Sequence, residues 1–350
     1  MTGAELAKLV KSGECYSRED FTSIDCSGQD LSGGIFTESN FSGANFANAN
    51  LKEATFNDCN MSGVSFNNAE LASTNFVKND FASASFNGAN LNFTKYIECK
   101  LNKASLQNML TEMPVFTDCK LEGANFSESQ LNTAVFTNCT MQQVDFSKTK
   151  LYKAVFFECG FGHNTFTDTH IELSMFNKAT FDGVSFKGLD LTQCQFMEST
   201  LTNCDFSDCQ LKQGGFMEAE LSGSKFDGAN LELANFYGAK LHTVSMVKAN
   251  LKSASMQQAK IQFAQLSSAT MVQAQLTEAV IEGSIFSSVN LTEADLSHAS
   301  IFDSDFSNAE LNNANMHETV HDKVIWAGST KALAKGTDEK RKKAEQWGAK

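Results

Sequence analysis

Few residues in this chain have the type and spacing to do chemistry. His317-Glu318-Thr319-Val320-His321 carries the H-E-x-x-H spacing, which on a helix sets two imidazoles on one face around a zinc ion. Here His317 follows Met316, the last member of an apolar repeat, so the segment is expected in a coil and not on a helix. No plausible third ligand follows, the match reads as chance, and no metal site is expected. Cys99, Cys119, Cys139 and Cys159 recur at intervals of twenty. A thiolate metal centre needs an opening and ligands converging on one point, and the expectation is a buried ladder of small side chains instead. The six His are scattered, and there is no phosphate loop, nucleophile elbow or Cys/His dyad. The chain is expected to be no enzyme and to need no cofactor.

The elements that would position any site follow from one period. Every fifth residue from Phe21 to Met316 is apolar except Thr111. These sixty positions share one register, and 26 of the 30 Phe fall in it. A period of five fits neither a strand nor a helix. It fits a chain that turns a corner every five residues and points one large side chain inward per side. A small residue precedes most of the large ones by two positions, with Met109 and Pro114 among the exceptions. It is mostly Ala, with some Ser, Thr and Val, and eight Cys occupy the same slot: Cys59, Cys99, Cys119, Cys139, Cys159, Cys194, Cys204 and Cys209. Free Cys behaves as a small hydrophobe, so the ten Cys are no disulfide framework. Reduced thiols and a cytoplasmic location are expected.

The unit reads Ala44-Asn45-Phe46-Ala47-Asn48, Ala229-Asn230-Leu231-Glu232-Leu233 and Ala294-Asp295-Leu296-Ser297-His298. Over residues 21–319 this resembles the pentapeptide-repeat family. The resemblance implies an all-β solenoid, a right-handed quadrilateral β-helix of about 15 coils with short terminal helical caps, four pentapeptides to each coil of twenty residues. The expected parts are an N-terminal helical cap (1–20), the β-helix (21–320), and a C-terminal cap with a basic helical tail (321–350). At the inter-strand spacing of about 4.8 Å, fifteen coils give a rod roughly 70 Å long. From Phe116 to Phe236 every tenth residue is Phe, which predicts Phe on two opposite sides of each core layer. Thr2-Gly3-Ala4-Glu5 reads as a capping box opening a helix to about Lys11, stopped by Gly13. Thr111 and Pro114 predict a bulged or kinked corner with Leu110 or Met113 partly exposed. Val324, Ile325 and Trp326 are expected to plug the last coil, and Lys331 to Lys350 to form a basic helix. The alternatives for that tail are that it folds back, pairs with another subunit as a homodimer, or stays mobile. No apolar run is long enough for a membrane span, and Met1 to Asp20 lacks the apolar stretch of a signal peptide.

The net charge is −13. Sorting outward positions by side places ten acids and three Lys on the side centred on Phe36, Phe56 and onward to Met316. One column there reads Glu38, Asp58, Lys78, Glu98, Asp118, Asn138, Glu158, Lys178, Glu198, Glu218. The same side displays eleven large apolar residues: Ile35, Val77, Ile97, Val115, Val135, Val155, Phe157, Met175, Met197, Met217 and Tyr237. Val115, Val135, Val155 and Met175 are expected to form a ladder flanked by carboxylates. An apolar strip with a charged rim marks a protein partner surface. The expected function is therefore a protein-binding scaffold or adaptor. The resemblance also suggests components associated with bacterial secretion, type VI in particular. The alternative it implies is a DNA-mimic inhibitor or protector of DNA gyrase. Here 34 acids and 17 bases lie between Asp20 and Glu318. That is one net charge per ~4 Å against one per ~1.7 Å for duplex DNA. Direct nucleic-acid binding is not expected, because the only basic cluster lies in the tail.

Overall fold

Corners every five residues leave room only for very short strands, and strands that short need partners in register. A computed structural model describes residues 1–348. The chain is a parallel β-solenoid of about 15 coils with a short helix at each terminus. It divides into two compact units, Met1–Thr180 and Phe181–Lys350.

In the first unit, residues twenty apart pair in parallel. One side is an eight-stranded sheet of three-residue strands running in order from Cys15–Ser17 to Val155–Phe157. Phe36 faces Phe56 and Phe116 faces Phe136 across it. Another side pairs Leu110–Glu112, Gln130–Asn132, Lys150–Tyr152 and His170–Glu172. Elsewhere single bridges such as Asp25 to Asn45 hold the coils. The residue two after each large position turns the corner with positive φ, as at Asn68 (56°), Lys78 (58°) and Glu98 (53°). Asn adopts this conformation easily. Lys78 and Glu98 adopt it because the ladders on both sides fix it.

Many corners close with a backbone bond, as from Ala54 N–H to the Leu51 carbonyl (3.0 Å). Corners after the eight-stranded side close through side chains of the next coil. Cys99 donates its S–H to the Phe76 carbonyl (3.4 Å), Cys119 to Tyr96 (3.4 Å), Cys139 to Phe116 (3.5 Å) and Cys159 to Phe136 (3.5 Å). Asn79 Nδ2 does the same for Phe56 (2.8 Å). On other sides Thr74 serves Leu51 (2.8 Å) and Thr149 serves Phe126 (2.9 Å). At these positions the small slot adds a second donor to a carbonyl that already has a backbone partner, as Ala54 N–H is for Leu51. A thiol supplies a weak one without adding bulk.

Tyr96, Phe116, Phe136, Phe156 and Phe176 stack ring on ring, with centroids 4.7 to 4.9 Å apart. Phe126, Phe146 and Phe166 stack opposite them (5.5 and 5.3 Å), and Phe116 meets Phe126 edge-on at 87°. Two opposite columns of Phe per layer are thus present, in the edge and offset geometries that aromatic quadrupoles favour. The corner at Pro114 is regular and not bulged. Val115 N–H bonds the Thr94 carbonyl and Val135 N–H bonds the Pro114 carbonyl, each at 2.9 Å. The small slot uses its carbonyl, not its N–H, in the ladder, so proline breaks no ladder bond there. Thr111 is buried and donates to the Gln130 carbonyl (3.0 Å). Leu110 and Met113 are both exposed, at 64% and 48%.

The first coil is covered by α1 (Gly3–Lys11), which buries Leu6, Ala7 and Val10. Its capping box is complete, with Glu5 N–H to Thr2 Oγ1 at 3.3 Å and Thr2 N–H to Glu5 Oε2 at 2.8 Å. Gly3 lies so close to the chain that a Cβ there would clash with the Asp25 carbonyl oxygen. Gly13 follows the helix with φ of +90°.

In the second unit the twenty-residue register continues. Phe186, Phe206 and Phe226 stack (5.0 and 4.8 Å), as do Phe196, Phe216 and Phe236 (5.3 and 4.9 Å). From Leu241 to Ile281 the large slots hold buried Leu, Met and Ile, among them Met246, Met256, Met271 and Leu276. Strands Lys240–His242, Lys260–Gln262, Val280–Glu282, Ser300–Phe302 and Val320–Asp322 form one sheet.

Bridges run on to Asn315 and Lys335, past the last apolar slot. Trp326 packs on Phe306 (4.9 Å) and Val324 is half-buried, whereas Ile325 is 55% exposed. Only two of the three expected plug residues therefore turn inward, because Ile325 falls on an outward position of the repeat. The expected tail helix is shorter and interrupted. A 3-10 turn covers Lys331–Leu333 and α2 covers Glu339–Gly348. Positions 349 and 350 of the expected helix lie outside the described residues.

Candidate functional site

The apolar ladder forms in the first unit as its spacing requires. Val115 pairs with Val135, Val135 with Val155, and Val155 with Met175. Phe157 lies beside it, with the Lys178 ammonium 5.6 Å from its ring centroid. Glu98, Asp118 and Glu158 are exposed along the adjoining corner column. Glu98 pairs with Lys78 (3.8 Å), and Asp118 accepts from Asn138 Nδ2 (2.6 Å). In the second unit, Met197, Met217 and Tyr237 are half-buried, and Glu198 and Glu218 are exposed. Tyr237 donates its hydroxyl to Gln258 (2.7 Å).

Within the ladder Val115, Val135 and Val155 are half-buried, and Met175 is exposed at 38%. Strand positions are flanked above and below by the same position of adjacent coils, about 4.8 Å away. Corner positions project further. Phe93 (51%) and Met113 (48%) occupy equivalent corners of neighbouring coils, with Leu110 (64%) on the same side. These three give the first unit a more exposed apolar group than the ladder does. Counting apolar residues by side missed it; scoring the corner slot separately would have found it.

His317 and His321 do not share a helix face. His321 lies on the strand Val320–Asp322 with Lys331 Nζ 3.0 Å from its Nε2. Burial and the Lys331 charge hold the His321 imidazole below its ordinary pKa. His317 is buried and joins His298 and Glu345 instead. Glu345 Oε2 lies 3.1 Å from His317 Nε2 and 3.4 Å from His298 Nε2. These donor atoms lie within 4.8 Å of one another. The other side of His317 decides what they can do, because Nδ1 accepts the Asp338 backbone N–H at 3.0 Å. An imidazole accepting at Nδ1 carries its proton on Nε2, so His317 points N–H and not a lone pair at Glu345. The geometry makes a hydrogen-bonded clasp and not a metal centre. Hydrogen bonds from Arg341 first, and then His317, hold the Glu345 carboxyl down at about 2.

Two family models cover most of the chain. The "Pentapeptide repeat region" matches residues 29–106, 114–184 and 169–237. The "Pentapeptide repeats (8 copies)" model matches 234–271, 269–308 and 290–320. No curated protein matches the chain. Among solved structures, the chain is similar to trypsin-treated QnrB1, a plasmid-mediated fluoroquinolone resistance protein (26% identity, 38% of this chain, 74% of that one, TM-score 0.22). It is also similar to HetL of the cyanobacterium Nostoc, involved in heterocyst differentiation regulation (21% identity, 80% of this chain, 96% of that one, TM-score 0.19). A pentapeptide repeat protein of the Arabidopsis thaliana thylakoid lumen is a further likeness (23% identity, 37% of this chain, 68% of that one, TM-score 0.15). With both models matched along the unbroken register, this chain belongs to the pentapeptide-repeat family.

Proposed function

We propose that this protein is a non-enzymatic scaffold of the cytoplasm that binds a protein partner along the side bearing the Val115–Val135–Val155–Met175 ladder. The observation that carries the reading is that ladder itself, aligned in register and bordered by the exposed carboxylates of Glu98, Asp118 and Glu158. Within the second unit, Met197, Met217, Tyr237, Glu198 and Glu218 offer the same chemistry. The core supports binding over catalysis, since stacked rings fill it. A homodimer through the C-terminal segment belongs to the same proposal, as does attachment to a bacterial secretion assembly such as type VI; the second rests on family resemblance alone.

Cross-linked pull-down from the native host would compare the wild type with a Val135→Arg/Phe157→Glu double variant of unchanged melting temperature. A protein retained by the wild type and lost by the variant supports the reading; equal retention overturns it. The alternative, a DNA mimic acting on gyrase, would use the same carboxylates. Lys78 beside Glu98 and Lys178 over Phe157 interrupt their field, which favours a protein with mixed chemistry. Inhibition of gyrase supercoiling that disappears on charge reversal at Glu98, Asp118 and Glu158 would instead establish mimicry.

A further inference from the structure

Among its described residues, the second helix meets the last coils through ion pairs and hydrogen bonds. None of its described residues is buried, and Trp347 is 84% exposed. Lys342 pairs with Glu318 (3.0 Å), and Glu345 meets His317, His298 and Arg341 (2.7 Å to Arg341). The segment entering the helix is fixed by Asp338, whose N–H donates to His317 Nδ1 and whose Oδ1 accepts from Lys340 N–H (2.8 Å). A helix without an apolar face depends on such contacts for its place.

We propose that α2 is an acid-released latch, closed by neutral His317 and opened when His317 takes a second proton. The neutral ring satisfies both neighbours at once, accepting from Asp338 at Nδ1 and donating to Glu345 from Nε2. A second proton sits on Nδ1 and faces the Asp338 N–H, donor against donor. One of the two bonds that fix the helix entry is lost, the other being Glu318 N–H to Thr337 Oγ1 (3.3 Å), and the buried ring is left with a misplaced donor, which costs more than the hydrogen bond itself.

Charged and polar groups face the ring from three directions. From α2 come Glu345, which attracts the imidazolium, and Arg341 and Lys342, which repel it. From the preceding coil comes His298, its ring centroid 5.3 Å away. From its own coil come Glu318, paired with Lys342, and Asn315, which accepts the His317 N–H and is itself bonded to Asp295 (2.9 Å). Glu345 and the Asp338 carboxylate attract the imidazolium, but Arg341 already shares the first, and the Lys340 and Arg341 N–H groups hold Oδ1 of the second. An undocked imidazole takes its proton near pH 6.5. Because a second proton displaces the Asp338 N–H, docking weakens between pH 7.5 and pH 5.5, by up to about tenfold for one such proton.

The test is amide hydrogen exchange of residues 339–348 in the full chain at both pH values, corrected for intrinsic rates. The expected result is a fall in protection of up to about tenfold, retained in His298→Asn and absent in His317→Asn, whose amide can still accept from Asp338. Unchanged or increased protection at pH 5.5 overturns the proposal, as does an equal fall in His317→Asn. If that variant fails to dock, nitrogen-15 shifts of the wild-type imidazole decide. A proton on Nε2 at pH 7.5 supports the latch, and one on Nδ1 overturns it.

Discussion

Cys139 donates its thiol proton to the carbonyl of Phe116, 23 residues earlier, at 3.5 Å. That contact crosses between coils onto a carbonyl that the ladder already pairs through the Thr137 N–H, so the thiol is a second, weak partner, and it also lies 3.4 Å from the Thr137 carbonyl. Cys139→Ala removes a second donor and leaves the ladder bond in place, so it should cost no more than about 1 kcal/mol, the net worth of one hydrogen bond. Cys139→Ser keeps a donor and should cost less. Chemical denaturation of both variants checks the order; equal losses would show that volume alone governs the slot.

The same burial makes the thiols unreactive. Desolvation pushes Cys59 up to about 11, and Cys26, Cys204 and Cys209 up to about 12. Cys15 is the exposed thiol. Titration with a disulfide reagent at pH 8 should label one thiol per native chain and all ten in denaturant. Fast labelling of several native thiols would show that the coils open.

Tyr96 occupies a Phe slot, fully buried between Phe76 (5.0 Å) and Phe116 (4.7 Å), and its hydroxyl has no hydrogen-bond partner. Tyr96→Phe removes the orphan and should stabilise by about 1 kcal/mol. Phe136→Ala, in the same stack, should destabilise by roughly 3–5 kcal/mol. Thermal melts distinguish the two directions.

The N-terminal helix should respond to acid through Asp30. The Ser32 backbone N–H is the main cause holding its carboxyl at about 2, with Lys11 (2.9 Å) a further one. The folded value lies below the ordinary 3.8, so the stabilisation is complete above that value and is lost as pH falls through about 2. Exchange protection of residues 3–11 should fall in this window, and Asp30→Asn should flatten the response.

The sequence alone determined the solenoid, its register and its core. A residue pointing inward every fifth position must recur on the same side after four corners, so the columns of Phe, the thiol ladder and the Val115–Met175 ladder all follow from spacing. The N-terminal capping box was equally legible, because its partners lie three residues apart. Tertiary structure decided how far each outward residue projects, since that depends on coils above and below. It therefore separated the half-buried Val135 from the exposed corner of Phe93 and Met113. It also decided that Pro114 bends nothing, because that depends on which backbone groups the neighbouring coils pair. The clasp of His317 with Asp338 and Glu345 spans 21 and 28 residues. It falls outside the period of twenty, and only the path of the chain after the last coil could bring those residues together.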